Sequence, residues 1–567
     1  MASELDLALD AAMNRLVAPG GPLEMDGAER DGNTYRTFKH APPNLRAYFA
    51  HYCAQHAEAL FLVDGDHRLT FGQVHALARR AAAGLIVSHG VRHGQRVGLA
   101  GRNSANWIIL YMAILEAGAC ATLLNGWWTG EELAAGIELA GCDLVLADPG
   151  RAARLEGHRH GARLAVFEHG DPESGIPFLA GADAEIPAMP ALAGEDLATI
   201  LFTSGSTGQS KGAVSDHRGV VHGAMNSAAV ALVLYAHLAT LGDAPQVQPS
   251  ALVNVPLFHV TGEVPVLLQS FALGRKLVIM PRWDALEAMR LIEQERIGFF
   301  AGVPLMSYEI ATHPRRGEFD LSSCQTFLSA GAPRPPEHVR QLREALPRGF
   351  PANGYGLTET NSAGCVNFLD NYLEKPTSAG RVQSPIVELA ILGEDGAKLA
   401  PGEHGEVAFR SIANFLGYWQ NREATSAAVR PDGFFLTGDV GYIDEAGYLF
   451  IVDRKKDIII RGGENIALAE VEQAIYAHPA VAETSVFGLH DARLGEVPGA
   501  VWLAKPGHEL SEEDLREFVT ERIAAFKVPV RFWQAHEALP RLGTEKVDKR
   551  KLQQRYSPEW ESASNAP

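Results

Sequence analysis

Cysteine is scarce in this chain. The 567 residues include only Cys53, Cys120, Cys142, Cys324 and Cys365, odd in number, scattered and never in a CxxC pair. That usage argues against a structural zinc and for a reducing compartment, so a cytoplasmic location is expected. Positive charge is also in short supply: 50 Lys and Arg face 68 Asp and Glu, a net charge of -18. Such a balance disfavours nucleic acid and anionic membrane as principal partners, yet leaves room for a small anionic substrate in a local basic site. No apolar run is long enough to span a bilayer. The most apolar, AAVALVLYAHLA from Ala228 to Ala239, reads as a buried helix or a pocket wall, so no transmembrane segment is expected. The start, MASELDLALDAAMNRL, is an acidic amphipathic stretch rather than a signal peptide. His158 and His160 sit beside arginines in EGHRHGARL, which favours solvated surface residues over a metal site. No internal repeats are visible. The remaining composition, 46% hydrophobic and 21% charged, is that of a globular protein with several cores.

From about residue 60 to 360, short apolar runs alternate with helical patterns. LVNVP (252–256), RKLVIM, GFFAGVP, QTFLSAG and GFPANGYG read as strands leading into loops, and DALEAMRLIEQERI has apolar positions at helical spacing. The alternation predicts mostly parallel, helix-covered sheets, whose ligands bind at loops leaving strand carboxyl ends. After residue 380 the pattern becomes antiparallel, with turns at Asp395-Gly396, at Pro401-Gly402 and around Glu445 to Gly447. A smaller unit follows the charged run DRKKD (453–457). It contains the helix ALAEVEQAIYAH and a helix opened by Ser511 with Asp514 as its capping pair. The expected division is a large domain over 1–453, a hinge at 454–456, and a small α+β domain over 457–567. Its tail is expected to be disordered from about residue 557.

TSGSTGQSKG (203–212) concentrates hydroxyls, glycines and a lysine. A Walker A loop needs glycine directly before its lysine and Ser or Thr directly after. Here Ser210 precedes Lys211 and Gly212 follows, so that pattern is excluded. The physics of anion binding still applies. Gly205 and Gly208 let backbone N–H groups approach an anion, Thr203, Ser204, Ser206 and Thr207 add hydroxyl donors, and Lys211 adds charge. A strand over 197–202 precedes the loop, and an alanine-rich helix is expected from about His222.

Six further motifs stand in order behind the loop: PLFHVTG (256–262), SAGAP (329–333), NGYGLTE (353–359), TGD (437–439), DRKKDIIIRGGENI (453–466) and PRLGTEKVDKR (540–550). Together they resemble the adenylate-forming superfamily of acyl-CoA synthetases, firefly-type luciferases and nonribosomal adenylation domains, over roughly residues 40 to 552. The resemblance implies that ATP activates a carboxylate, pyrophosphate leaves, and the acyl-adenylate passes its acyl group on. The Gly/Ser/Thr loop would then clamp the β- and γ-phosphates. Glu359 would be the Mg²⁺-linked carboxylate, with Thr358 near the α-phosphate. Tyr355 would offer a face to adenine within Asn353, Gly354, Tyr355 and Gly356, beside Gly331, Ala332 and Pro333. Asp439 and Arg454 would hold the ribose. Lys546 would reach the α-phosphate and the substrate carboxylate, and His259 would stand between the acyl pocket and the pantetheine tunnel. Two departures from the family pattern are Ser210, where proline is usual, and Glu545, where glycine normally precedes the lysine.

The same resemblance assigns the acceptor. Gly462, Gly463 and Glu464 resemble the segment along which pantetheine lies in CoA ligases, and Lys456 falls at the family's pivot. The absence of a carrier domain after residue 552 favours soluble CoA. A stand-alone enzyme that loads a separate carrier protein is the alternative. The acyl pocket is expected from Ala224, Met225, Ala228, Val255, His259, Phe300, Gly302 and Val303, an apolar set with no obvious buried cation. A medium- to long-chain fatty acid is the first reading and an aryl or arylpropenoic acid the second. Oligomeric state is not fixed by the sequence, a homodimer being compatible with it.

Overall fold

The computed structural model describes the chain except Met1, residues 182–183, 204–209, 243–246, Pro333, Gln383, 456–457, 462–463, Ala492, 543–545 and 565–567, and the side chains of Ile460, Asn465 and 561–564. Two large sheets form the body. The seven-stranded sheet carries Leu197–Thr203 next to Cys120–Leu123, Arg96–Ala100, Leu144–Ala147 and Arg163–Val166, all parallel. The nine-stranded sheet places Phe350–Tyr355, Thr326–Ala330, Phe299–Gly302, Ser250–Val253, Lys276–Ile279 and Leu60–Asp64 side by side in parallel. Helices cover both sheets, which is why their strands are apolar runs rather than alternating ones. The expected parallel α/β body is present. So is the antiparallel unit, a four-stranded sheet of Val387–Leu392, Gly405–Ser411, Phe435–Ile443 and Leu449–Arg454.

The phosphate-loop sequence differs from expectation in one respect. It does not join a strand to a helix. It joins Leu197–Thr203 to a second strand, Lys211–Asp216, paired antiparallel with Lys211 opposite Thr203. The helix begins at His217, capped by Asp216, and runs to Thr240. The hairpin fixes both ends of the loop at one sheet edge, so Thr203 and Lys211 enter the same space. His217–Thr240 is the one helix among the described residues long and apolar enough to cross a bilayer, and 67% of its apolar window is buried in the fold. It is a core helix and a pocket wall.

Gly262 opens a π-helical turn, Gly262–Leu268. A Cβ there would meet the Pro256 carbonyl oxygen at 2.2 Å, so only glycine permits the chain to fold back on PLFH. Wide turns of this kind often accompany functional sites.

The small domain is a five-stranded sheet in which Gly495–Ala504 is flanked by Val481–Asp491 and by Arg531–Ala535, the latter in parallel. Ser511 caps its helix Glu512–Thr520 by accepting from the Asp514 N–H, as expected. The expected disordered tail is corrected: Lys549–Ser564 is a helix. Leu552, Tyr556 and Trp560 recur every four residues on one face of it. They pack with Phe487, Trp533 and Leu539, and the Trp560 indole N–H donates to the His490 carbonyl at 2.9 Å. Polar composition concealed this apolar stripe.

Candidate active site

The loop ends of both body sheets, the antiparallel unit and the small domain meet around one cavity. It is lined by Thr203, Lys211, His259, Gly302, Val303, Gly331, Gly356, Thr358, Glu359, Arg454 and Lys546, among others. Eleven residues singled out in the sequence thus converge from separate stretches of chain. Ser204, Gly205, Ser206, Thr207, Gly208, Pro333, Lys456, Gly462, Gly463 and Glu545 lie outside the described residues. Glu464 is exposed at the start of the strand Glu464–Ala467 and does not line the cavity.

Glu359 is buried in a short 3₁₀ turn, Thr358–Thr360. Its Oε1 accepts a hydrogen bond from the Tyr418 hydroxyl at 2.8 Å. Burial raises its pKa, while the Tyr418 bond and the Arg454 and Lys211 charges oppose the rise. The Lys211 ammonium lies 4.8 Å from the Tyr418 ring centre. Tyr418 therefore ties the cation and the carboxylate together. Nothing in the sequence singled it out. Its strand Gly417–Tyr418 is two residues long and pairs with Ala213 and Val214, so its place depends on a long-range contact. One carboxylate beside a cation and two threonine hydroxyls fits a Mg²⁺ ion that keeps phosphate and water ligands. No group of three or more potential metal ligands occurs among the described residues.

On the opposite side Asp439 is buried. It accepts from the Arg454 Nε at 3.1 Å and from the Tyr355 hydroxyl. The two strands that carry Asp439 and Arg454 pair these residues directly, 439 opposite 454. Sheet register thus sets the carboxylate–guanidinium pair.

Lys546 comes from the small domain yet lines the body cavity. A Cβ at Gly331, whose φ is +80°, would lie 3.3 Å from its Cε. Burial and the Arg454 charge bring its pKa down to about 8, against the pull of Asp439. His259 is pushed down to about 4 by burial and by the Lys546 charge. It is therefore neutral at physiological pH and cannot act there as a cation.

A second cavity opens from the first. Val260, Thr261, Ala330, Gly331 and Gly356 line both. Its far walls are Ser227, Val230, Ala231, Leu234 and Leu238 of the long helix and Phe299, Thr326 and Leu328 of the nine-stranded sheet. The residues expected together in an acyl pocket do not gather in one cavity. Ala224, Met225 and Ala228 are buried in the fold and line neither cavity. Phe300 packs against Trp283 and Phe327, on the strand face opposite Phe299. Val255, Gly302 and Val303 line the charged cavity instead. Tyr355 and Gly354 line the apolar one, and Asn353 and Ala332 line neither. The apolar cavity also contains a buried cation, Arg275, where none was expected. In the sequence it stands just after Gly274, between a helix and an apolar strand, and looks like a helix-terminal cation.

Comparison with known proteins agrees with this arrangement. The model described as AMP-binding enzyme matches residues 49–419, and that described as AMP-binding enzyme C-terminal domain matches 470–546. The chain is 34% identical to a feruloyl-CoA synthase of Amycolatopsis sp over 495 residues, 87% of this chain and 95% of the relative. It is 33% identical to the long-chain-fatty-acid–CoA ligase FadD13 of Mycobacterium tuberculosis over 509 residues, 87% of this chain and 94% of the relative. Among solved structures, o-succinylbenzoate CoA synthetase from Bacillus subtilis with its acyl-adenylate intermediate superposes with a TM-score of 0.77 at 27% identity, covering 90% of this chain and 98% of the other. The motif order, the two-cavity site and these matches together place the chain in the AMP-binding enzyme family, as an adenylate-forming acyl-CoA ligase.

Proposed function

We propose that the charged cavity binds ATP with Mg²⁺, that the apolar cavity binds the acyl part of a carboxylic acid, and that the two react where the cavities join. The observation that carries this reading is the shared wall. Gly331, Thr261 and Gly356 border both spaces, and Lys546 lies against Gly331. A carboxylate projecting from the apolar side would meet the α-phosphorus beside the Lys546 ammonium. The carboxylate oxygen attacks phosphorus, the bond to pyrophosphate breaks, and an acyl-adenylate forms. Lys546 offsets the repulsion between two anions, an interaction needed most in the transition state. Lys211 and the loop that it ends would hold the leaving pyrophosphate. Glu359 would hold Mg²⁺, which neutralises phosphate charge when bound. Asp439 and Arg454 would hold the ribose hydroxyls. In the second step the CoA sulfur attacks the acyl carbon and AMP leaves. Neutral His259, in the wall of the charged cavity next to the shared Val260 and Thr261, would orient the acid rather than transfer a proton.

The acid is proposed to be a medium- to long-chain fatty acid, since the apolar cavity is lined along one strand from Thr326 through Leu328 to Ala330. An aryl acid is the second reading, favoured by Phe299, Tyr355 and Phe368 in its walls. The test is CoA-dependent release of AMP across an acid panel. AMP and thioester should appear together with at least one chain or aryl acid. Pyrophosphate exchange without thioester would instead favour a carrier protein as acceptor.

A further inference from the structure

The far end of the apolar cavity is not apolar. Arg275 lines it with only 1% of its surface exposed. Its Nη1 donates to Gln269 Oε1 at 2.8 Å, and its Nη2 donates to the Tyr235 hydroxyl at 3.4 Å. Its Nε finds no acceptor. The guanidinium lies 4.5 Å from the centre of the Phe299 ring. Among the described residues no ion pair within 4 Å includes Arg275, whereas the next residue, Lys276, pairs with Glu295. The Arg275 side-chain partners Gln269, Tyr235 and Phe299 are neutral, and Gln269 is itself fixed by donating to the Ser227 carbonyl at 2.5 Å.

A buried guanidinium normally carries a counter-ion, because desolvation without one is expensive. Here the protein provides orientation but no anion. Tyr235 and Gln269 hold the fork, Phe299 covers one face, and the unsatisfied edge belongs to a residue of the cavity wall. Position supports a ligand role. Arg275 immediately precedes the strand Lys276–Ile279, whose first residue pairs with Ser250. Ser250, Gly298 and Gln325 line the same end of the cavity. Ala330 and Gly331, beside Lys546, line the other. From Thr326 to Ala330 the sheet rises about 13 Å at about 3.3 Å per residue. The cavity thus has Arg275 at one end, the Gly331 wall beside Lys546 at the other, and apolar walls between.

From this we infer that the enzyme selects acids bearing a second oxygen acceptor at the end remote from the reacting carboxylate, bound by Arg275. The shared chemistry is a distal oxygen facing the guanidinium, whether an anionic carboxylate or a neutral ketone. Arg275 is thereby a specificity determinant, and the acyl chain is a spacer matched to the cavity. This inference rests on the proposed acyl-CoA ligase reading of the two cavities.

The test compares three acids of equal chain length, ending in methyl, in a ketone or in a second carboxylate, by CoA-dependent AMP release. The wild-type enzyme should prefer at least one distal-oxygen acid over the methyl-terminated one by about 10- to 100-fold in kcat/KM, the scale of a hydrogen bond to a charged group. The ketone and dicarboxylate arms tell which oxygen is taken. In Arg275→Met the ratio of kcat/KM between the distal-oxygen and methyl-terminated acids should collapse, with folding of the variant checked separately by its circular dichroism and Tm. Tyr235→Phe, a milder change, should reduce the preference part of the way. The inference is overturned if the wild type shows no preference, or if the preference survives in Arg275→Met. Loss of AMP release with every acid, in folded wild-type protein, would sink the ligase reading itself, a different outcome from activity without selection.

Discussion

The Tyr418 hydroxyl donates to Glu359 Oε1 at 2.8 Å while its ring faces the Lys211 ammonium at 4.8 Å. One aromatic side chain thus spaces the carboxylate proposed for Mg²⁺ from the lysine proposed for phosphate. In Tyr418→Phe the ring survives and the donor is lost. The bond holds the Glu359 pKa down, so its loss should push that pKa further up. Pyrophosphate exchange should fall about 10-fold or more at neutral pH, on the scale of a hydrogen bond to a charged group. The acid limb of its pH profile should move upward, and more Mg²⁺ should be needed for half-maximal rate. An unchanged Mg²⁺ requirement would remove Tyr418 from the metal's support.

Lys546 titrates near 8 because burial and Arg454 both disfavour its charge. Adenylation needs the cation, which is present below that pH and lost as pH rises through it. The value of kcat/KM for ATP, which reports the free enzyme, should therefore decline above about pH 8. Lys546→Ala should lose adenylate formation by about 100- to 1000-fold and flatten that limb. Supplied acyl-adenylate should still be converted to thioester. Single-turnover measurement of each half-reaction decides; a matching loss in thioester formation would reassign Lys546.

The two cavities make opposite forecasts for neighbouring small residues. Ala231 lines the apolar cavity, so Ala231→Trp should exclude long acids and spare short ones, with about 0.8 kcal/mol of binding forfeited per CH₂ displaced. Ala228, 3% exposed in the core, has no cavity to fill. Ala228→Trp should overpack and destabilise the whole body by about 1–3 kcal/mol, visible as a lower Tm with no change in acid preference among surviving molecules. Reversed outcomes would place the acyl chain against Ala228 rather than Ala231.

The terminal helix should stabilise the small domain. Tyr556 is 7% exposed between Trp533 and the sheet, and Tyr556→Ala should cost about 3 kcal/mol by analogy with large aromatic truncations. Amide exchange should accelerate in Val481–Asp491 and leave the parallel strands of the body unaffected. A helix that is dispensable would show no change in either region.

The nucleotide-facing chemistry was legible because each piece is written in a short contiguous string. Lys211, Thr358–Glu359, Asp439 and Lys546 have the charge and hydroxyl types that phosphate, metal and ribose demand, and they meet in space or border the same wall as expected. Hydrophobic periodicity likewise predicted the parallel body, turn residues the antiparallel unit, and the Ser511–Asp514 spacing its helix cap. The acid-facing chemistry was not legible. In a helix and a sheet buried on all sides, every face is apolar, so composition could not tell Ala228 from Ala231 or Phe300 from Phe299. A polar tail concealed a three-residue apolar stripe. Tyr418 and Arg275 sit in unremarkable sequence and gain their significance from partners far away in the chain, Glu359 and Lys211 for one, Tyr235, Gln269 and Phe299 for the other. The sequence by itself determined which reaction this protein is equipped to perform, because phosphate chemistry requires particular residue types. Only the tertiary structure decided which side chains line the two cavities, because a pocket is made by the faces that packing leaves unfilled.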